Sequence, residues 1–227
     1  MTRRMIFPLL LGLVGGAILI SLGLWQVQRL AWKEGILAQI EARIQADPVA
    51  LPATPAKGPD QYLPVTLTGT FTGEGIDVLV SRKQLGAGYR VIAVMETEGR
   101  RVLIDRGFLP EEHRSEARPG PEAGAVTVKG NLLWPDEVDG FTPPPDSKTG
   151  IWFARDLPQL ATTLATEPIL VVQWAATLDD PMVEAMPVDT TNIPNDHLGY
   201  AVQWFGLAAV WLGMTAYLLW RIRRRTA

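Results

Sequence analysis

The chain has 227 residues, 47% of them hydrophobic, with a formal net charge of -3 and Cys 0. So weak an acidic balance offers no basic face to nucleic acid, and without cysteine there is no disulfide, thiolate metal site, thiol nucleophile or iron–sulfur cluster. Two membrane spans would leave room for about one domain of ordinary size.

Met5 to Val27 is uncharged over about 23 residues, enough at 1.5 Å per residue to cross a hydrocarbon core of about 30 Å. Arg3 and Arg4 precede it, as they would a signal peptide. The apolar run is full length, however, and ends in Leu24-Trp25-Gln26 rather than in the small residues of a processing site, so residues 5–27 are expected to stay as an anchor. Gly12 and Gly16 form a small-xxx-small pair suited to a neighbouring helix. Helical spacing continues from Gln28 to Ile44, with Trp25, Arg29 and Trp32 on one face. The prolines from Pro48 to Pro59 then force an extended connector.

From Leu63 the period changes to two. Leu63–Phe71, Ile76–Ser81, Tyr89–Glu96, Arg101–Phe108, Val126–Leu133 and Ile169–Trp174 read as strands, with Glu98-Gly99 as a hairpin turn. Residues 134–150, with three consecutive prolines at 143–145, read as a long loop, and Asp156 to Leu164 as one short helix. These elements predict a mainly antiparallel sheet or partial barrel within an extramembrane domain, residues 28–197.

Leu198 to Trp220 is again uncharged over about 23 positions and is the second expected span, residues 198–220, followed by a basic tail, residues 221–227. The fold class is therefore an α+β membrane protein with two terminal transmembrane helices around a β domain. Arg3, Arg4, Arg221, Arg223, Arg224 and Arg225 outnumber the basic residues on the near flanks of the intervening segment. The positive-inside rule then puts both termini in the cytoplasm and the central domain across the membrane. The lack of a long arginine-rich presequence favours a bacterial inner membrane.

His197 stands immediately before the second span. A step of about 100° per residue places it on one stripe with Tyr200, Ala201, Trp204, Ala208, Trp211 and Thr215. Gly199, Gly206 and Gly213 recur on the opposite side, and that glycine face is expected to take a partner helix. The stripe presents an imidazole above two indoles. It could hold a flat aromatic cofactor such as haem, whose iron takes histidine, or it could be an interfacial aromatic belt, the commoner arrangement.

Other chemistry is sparse. His113 lies in a charged loop and is given no role, Ser81 and Lys83 lack the spacing of a serine–lysine dyad, and Met182 with Met186 could reach a soft metal only on a helical turn. A membrane-tethered hydrolase is accordingly the least favoured class.

The segments Leu22-Gly23-Leu24-Trp25-Gln26-Val27-Gln28-Arg29-Leu30-Ala31-Trp32-Lys33 and Asn195-Asp196-His197-Leu198-Gly199-Tyr200-Ala201-Val202-Gln203-Trp204-Phe205-Gly206-Leu207-Ala208 resemble the Surfeit-locus family of cytochrome c oxidase assembly factors. Pro64 to Phe71 and Val102 to Pro110 resemble its first strand and its arginine–glycine–aromatic strand end. The chain departs from the commoner pattern at Ala87, Phe108 and Asp196. The resemblance implies a non-enzymatic factor of respiratory-chain biogenesis that helps insert haem a into the catalytic subunit of a haem-copper oxidase. It implies His197 as a haem ligand; beside the resemblance, the residues themselves let Tyr200 and Trp204 pack on the macrocycle and put Trp25 and Arg29 at similar depth, where the guanidinium suits a propionate or equally snorkels to lipid phosphate. Implied partners are that subunit, haem a synthase and membrane lipid, with a homo-oligomer left open. The alternative role is a haem-independent scaffold that stabilises an oxidase intermediate.

Overall fold

A computed structural model describes residues 3–83, 85–114, 119–191 and 193–226. The chain separates into two compact units. One joins the N-terminal segment through Gln39 to the C-terminal segment from Thr190, and the other spans Ile40–Asp189.

The first unit is a pair of helices. Helix α1, Arg3–Ile44, is a single 42-residue helix, about 63 Å long at 1.5 Å per residue and so twice the thickness of a bilayer core. In the last turn, beyond Gln39 and within the second unit, the Ile44 carbonyl accepts from Asn131 Nδ2 at 3.0 Å. The C-terminal helix, named α3 in chain order, covers His197–Thr226. Both are long and apolar enough to cross a membrane, and their most apolar stretches are only 11% and 6% buried by protein. Core helices of a soluble fold would be covered; these leave their apolar surface for lipid.

The two helices pack antiparallel. A Cβ built on Gly23 would meet the Phe205 ring at 2.6 Å, one on Gly16 the Leu212 side chain at 2.7 Å, one on Gly15 the Trp211 indole at 2.5 Å and one on Gly12 Thr215 Cγ2 at 2.1 Å. Trp211 Nε1 also donates to the Gly12 carbonyl at 3.0 Å. Large side chains of α3 thus fill the notches left by glycines of α1, which bears out the pair Gly12 and Gly16. The expected glycine face of α3 is not the contact. Cβ atoms built on Gly199, Gly206 and Gly213 would meet nothing within 4 Å, whereas Ala201 and Ala208, on the stripe read as the cofactor face, are buried. The physical reason is complementarity of volume, since two glycine faces set together would leave a void and forfeit dispersion contacts. Gly12→Leu should therefore break the pairing, at an overpacking cost of about 1–3 kcal/mol, while Gly206→Leu should leave it intact. Cross-linking between cysteines placed on α1 and α3 would check this, and equal yields from both variants would contradict it.

The second unit is a closed barrel. After β1 (Val49–Ala50), its strands are β2 (Pro64–Arg82), β3 (Gly86–Thr97), β4 (Arg100–Pro110), β5 (Val126–Leu133), β6 (Ile151–Trp152) and β7 (Leu170–Ala176), with helix α2 (Leu157–Leu164) between β6 and β7. The order β2-β3-β4-β7-β5 closes through a β2–β5 pairing, and only the β4–β7 pair in that ring is parallel. The two segments read as separate strands, Leu63–Phe71 and Ile76–Ser81, are one 19-residue strand, β2. Its first half pairs with β5 and its second with β3, across an irregularity between Phe71 and Gly75. The glycines at 73 and 75 that resemble a turn instead belong to this bulge.

Glu98 and Gly99 have φ of 49° and 75°, and Thr97 pairs with Arg100 across them. Positive φ at both central residues is the type I′ hairpin signature. The barrel interior gathers Val65, Leu67, Phe71, Met95, Val102, Ile104, Val128 and Val171, among others. Outward residues Ile92, Val94, Leu103 and Leu170 meet Leu157 and Leu160 of α2. With both faces covered there, Val102-Leu103-Ile104 is a continuous apolar run rather than an alternating one. Asp156 caps α2, its carboxylate accepting from Gln159 N at 3.1 Å.

Candidate functional site

His197 is the first residue of α3 and half-buried. Its Nδ1 lies 2.8 Å from Gln26 Oε1 of α1. Gln26, which the sequence reading passed over, is only 8% exposed. Its visible signal was an amide inside an apolar run, where a polar group needs a partner. Lys33 Nζ, two turns beyond Gln26, donates to the Pro194 carbonyl and ties the approach to α3 onto the same helix.

The stripe is divided by the helix contact. Relative to buried Ala201, a step of about 100° per residue turns His197, Trp204 and Tyr200 by about 40°, 60° and 100° to one side. On α1 the same step turns Arg29 and Trp25 by about 60° and 100° to one side of Gln26. Because two right-handed helices packed antiparallel rotate in opposite senses along a common axis, both sets fall on the same flank of the pair. Tyr200 is 51% exposed and Trp25 53%, and Trp204 is half-buried. The Arg29 guanidinium stacks on Trp32 at 3.9 Å, a geometry that leaves its N–H edge in the plane of the group, open to an anion. Trp211 lies deeper along the same side, with its indole N–H spent on the Gly12 carbonyl and 37% of its surface exposed. The flank therefore offers one imidazole, three aromatic side chains and a cation.

In the barrel the motif Arg106-Gly107-Phe108 is a structural clamp. Gly107 has φ 121°, and a Cβ there would stand 2.1 Å from the Glu184 carbonyl oxygen. Phe108 N donates to Glu184 O at 2.7 Å and Glu184 N to Phe108 O at 2.9 Å, while Arg106 donates to Asp180 at 2.8 Å. Beside it lies a charge network that the sequence reading also missed. Asp105, fully buried, accepts from Arg90 and, at 2.9 Å, from Arg155, and Arg155 also pairs with Glu137. Burial alone would push the Glu137 carboxyl up, but the Arg155 hydrogen bonds and charge outweigh it and hold the carboxyl below its ordinary range.

His113 Nε2 lies 3.7 Å from the carboxylate of the neighbouring Glu112. Ser81 and Lys83 are exposed and make no hydrogen bond to one another among the described residues. Met182 and Met186 lie in a non-helical segment, so the helical turn on which they would converge does not form. No group of three or more His, Asp or Glu side chains that could hold a metal ion occurs among the described residues.

The fold and the helix pair define a two-span membrane protein that carries a closed five-stranded barrel between its spans. A model of the SURF1 family matches residues 13–209. Surfeit locus protein 1 of Homo sapiens is 30% identical over 222 residues, 87% of this chain and 71% of its own length. The Rattus norvegicus protein of that name is 27% identical, over 88% of this chain and 71% of its own length. A SURF1-like protein of Monosiga brevicollis is 29% identical over 87% of this chain and 82% of its own length. The chain belongs to the SURF1 family, the Surfeit-locus family of cytochrome c oxidase assembly factors.

Proposed function

We propose that this chain holds haem a transiently on the flank of its helix pair and passes it to the catalytic subunit of a haem-copper oxidase. The observation that carries the reading is the convergence of His197, Tyr200, Trp204, Trp25 and Arg29 on one side of α1 and α3, at the membrane-proximal end of both spans. Haem a is the cargo, and the oxygen chemistry it supports belongs to the oxidase. The donor set suits it: an imidazole for iron, aromatic faces for the macrocycle and a guanidinium edge for a carboxylate. One strong ligand on an open flank holds cargo without trapping it, which suits handover. The supplying partner in this reading is a haem a synthase.

A second reading is favoured by the burial of Ala201 and Ala208 against α1, because the middle of the expected cofactor stripe is spent on helix packing. In that reading the helix pair only anchors the barrel, and the chain stabilises an oxidase intermediate without haem. Absorption spectra of the protein purified from cells that make haem a separate the two. A histidine-ligated haem spectrum supports the carrier, and protein purified without haem from such cells supports the scaffold.

The arginine flanks support a topology with both termini in the cytoplasm of a bacterial inner membrane and the barrel in the periplasm. A reporter that is active only in the cytoplasm should work when fused after Ala227. One that works there only in the periplasm would reverse the orientation derived from the arginine flanks.

A further inference from the structure

An amide moved from water into an apolar setting without a hydrogen bond carries an uncompensated desolvation penalty. Gln26 is nevertheless 8% exposed while its neighbours Trp25 and Val27 are 53% and 43% exposed. The amide is turned inward, and its partner among the described residues is the Nδ1 atom of His197 at 2.8 Å. We propose that Gln26 is the positioning residue for His197: its carbonyl oxygen holds the ring in the Nδ1–H tautomer and presents the Nε2 lone pair as the ligating nitrogen. The inference rests on the reading of His197 as a haem ligand, and it names the atom that does the ligating.

The chemistry follows from the donor inventory. A carbonyl oxygen can only accept, so a hydrogen bond from the ring to Gln26 Oε1 requires the proton on Nδ1. A neutral imidazole has one proton, so Nε2 is then bare. Histidines that ligate metals usually donate their other ring N–H to an acceptor of this sort, which fixes the ring and raises its basicity. The contrasting possibility is a plain clamp between helices, in which the amide is turned over. Its NH2 would donate to Nδ1, the ring proton would sit on Nε2, and that proton would block ligation.

The test uses the full-length protein in detergent. The first measurement is the ring tautomer without haem, by nitrogen NMR of 15N-histidine-labelled protein carrying His113→Gln so that His197 is the one histidine observed. The expected result is the Nδ1–H form in the protein with Gln26 and a shift toward the Nε2–H form, which imidazole favours in water, in Gln26→Leu. An Nε2–H ring with Gln26 in place overturns the proposal, whatever the stability of the variant. The second measurement is haem titration read by absorption. Gln26→Leu should bind about 10–100-fold more weakly, while Gln26→Glu, which keeps an acceptor, should restore most of the affinity. A Gln26→Leu affinity within about twofold of the parent overturns the proposal. An Nε2–H ring alongside a His197-dependent haem spectrum would sink the Gln26 assignment but leave the carrier. An Nδ1–H ring with a haem spectrum indifferent to His197→Ala would sink the carrier and the ligating role of Nε2 together.

Discussion

A His197→Ala protein is expected to insert, fold its barrel and pair its helices, yet lose the ligand-dependent spectrum of bound haem and leave the client oxidase short of haem a. The expectation follows from where the side chain lies. His197 is at the start of α3, and among the described residues the barrel's clusters contain none from the helix pair. The helix contact itself rests on Phe205, Trp211, Leu212 and Thr215 seated against α1 glycines. Removing the imidazole deletes one hydrogen bond of the pair and leaves that packing unchanged. The aromatic side chains remain, so loose association of haem through its apolar faces should persist without axial ligation. Full oxidase assembly together with an unchanged haem spectrum in a His197→Ala strain would overturn the ligand assignment and favour the scaffold.

The contrast with Gln26→Leu is informative. That change leaves an imidazole at the same place, so ligation should weaken rather than vanish, and the defect should be repaired by Gln26→Glu. A side chain whose role is only to glue helices together would give equal losses in helix pairing for both changes and no effect of the acceptor's identity on the haem.

Much of the fold was legible because its signals are periodic. Val126–Leu133 was read with its observed bounds, and the Glu98-Gly99 turn is dictated by two positive φ values that few residue pairs tolerate. The bulge in β2 was not legible, since Thr72-Gly73-Glu74-Gly75 has the composition of a turn, and only the pairing of both flanks with different strands makes it continuous. The partner face of α3 was misread for a similar reason. A glycine stripe shows where a neighbour can approach, but what fills the gap depends on the volumes the other helix offers. Here α1 carries the gaps and α3 the bulk. The candidate site is legible as residue types at one depth, whereas Gln26 is not, because an amide at the end of an apolar run looks like a span boundary rather than a polar group in need of a partner.

Asp105→Ala should destabilise the barrel more than any other single change outside the apolar core. Asp105 is buried with its side chain 0% exposed, between guanidinium groups of Arg90 and Arg155 that are themselves 14% and 11% exposed. Its other oxygen accepts from Gly107 N at 3.2 Å, next to the clamp that holds residues 180–186. Removing the carboxylate leaves two poorly solvated cations facing each other, with Glu137 paired directly to Arg155 and attracting Arg90 only more weakly through space. Breaking one partner out of a buried ion pair costs about 3–5 kcal/mol, a large share of the roughly 5–15 kcal/mol that a domain possesses. Asp105→Asn keeps an acceptor for Gly107 N and should fall between the two. Acid should reach the same network from the other side: because Glu137 is held below its ordinary value of 4.5 in the folded protein, its contribution is complete above that value and is lost as pH falls through the lowered one. Reversible denaturant unfolding of the purified protein, followed by tryptophan fluorescence at neutral pH, checks the main expectation. A loss below about 1 kcal/mol for Asp105→Ala would show that the two arginines find other compensation.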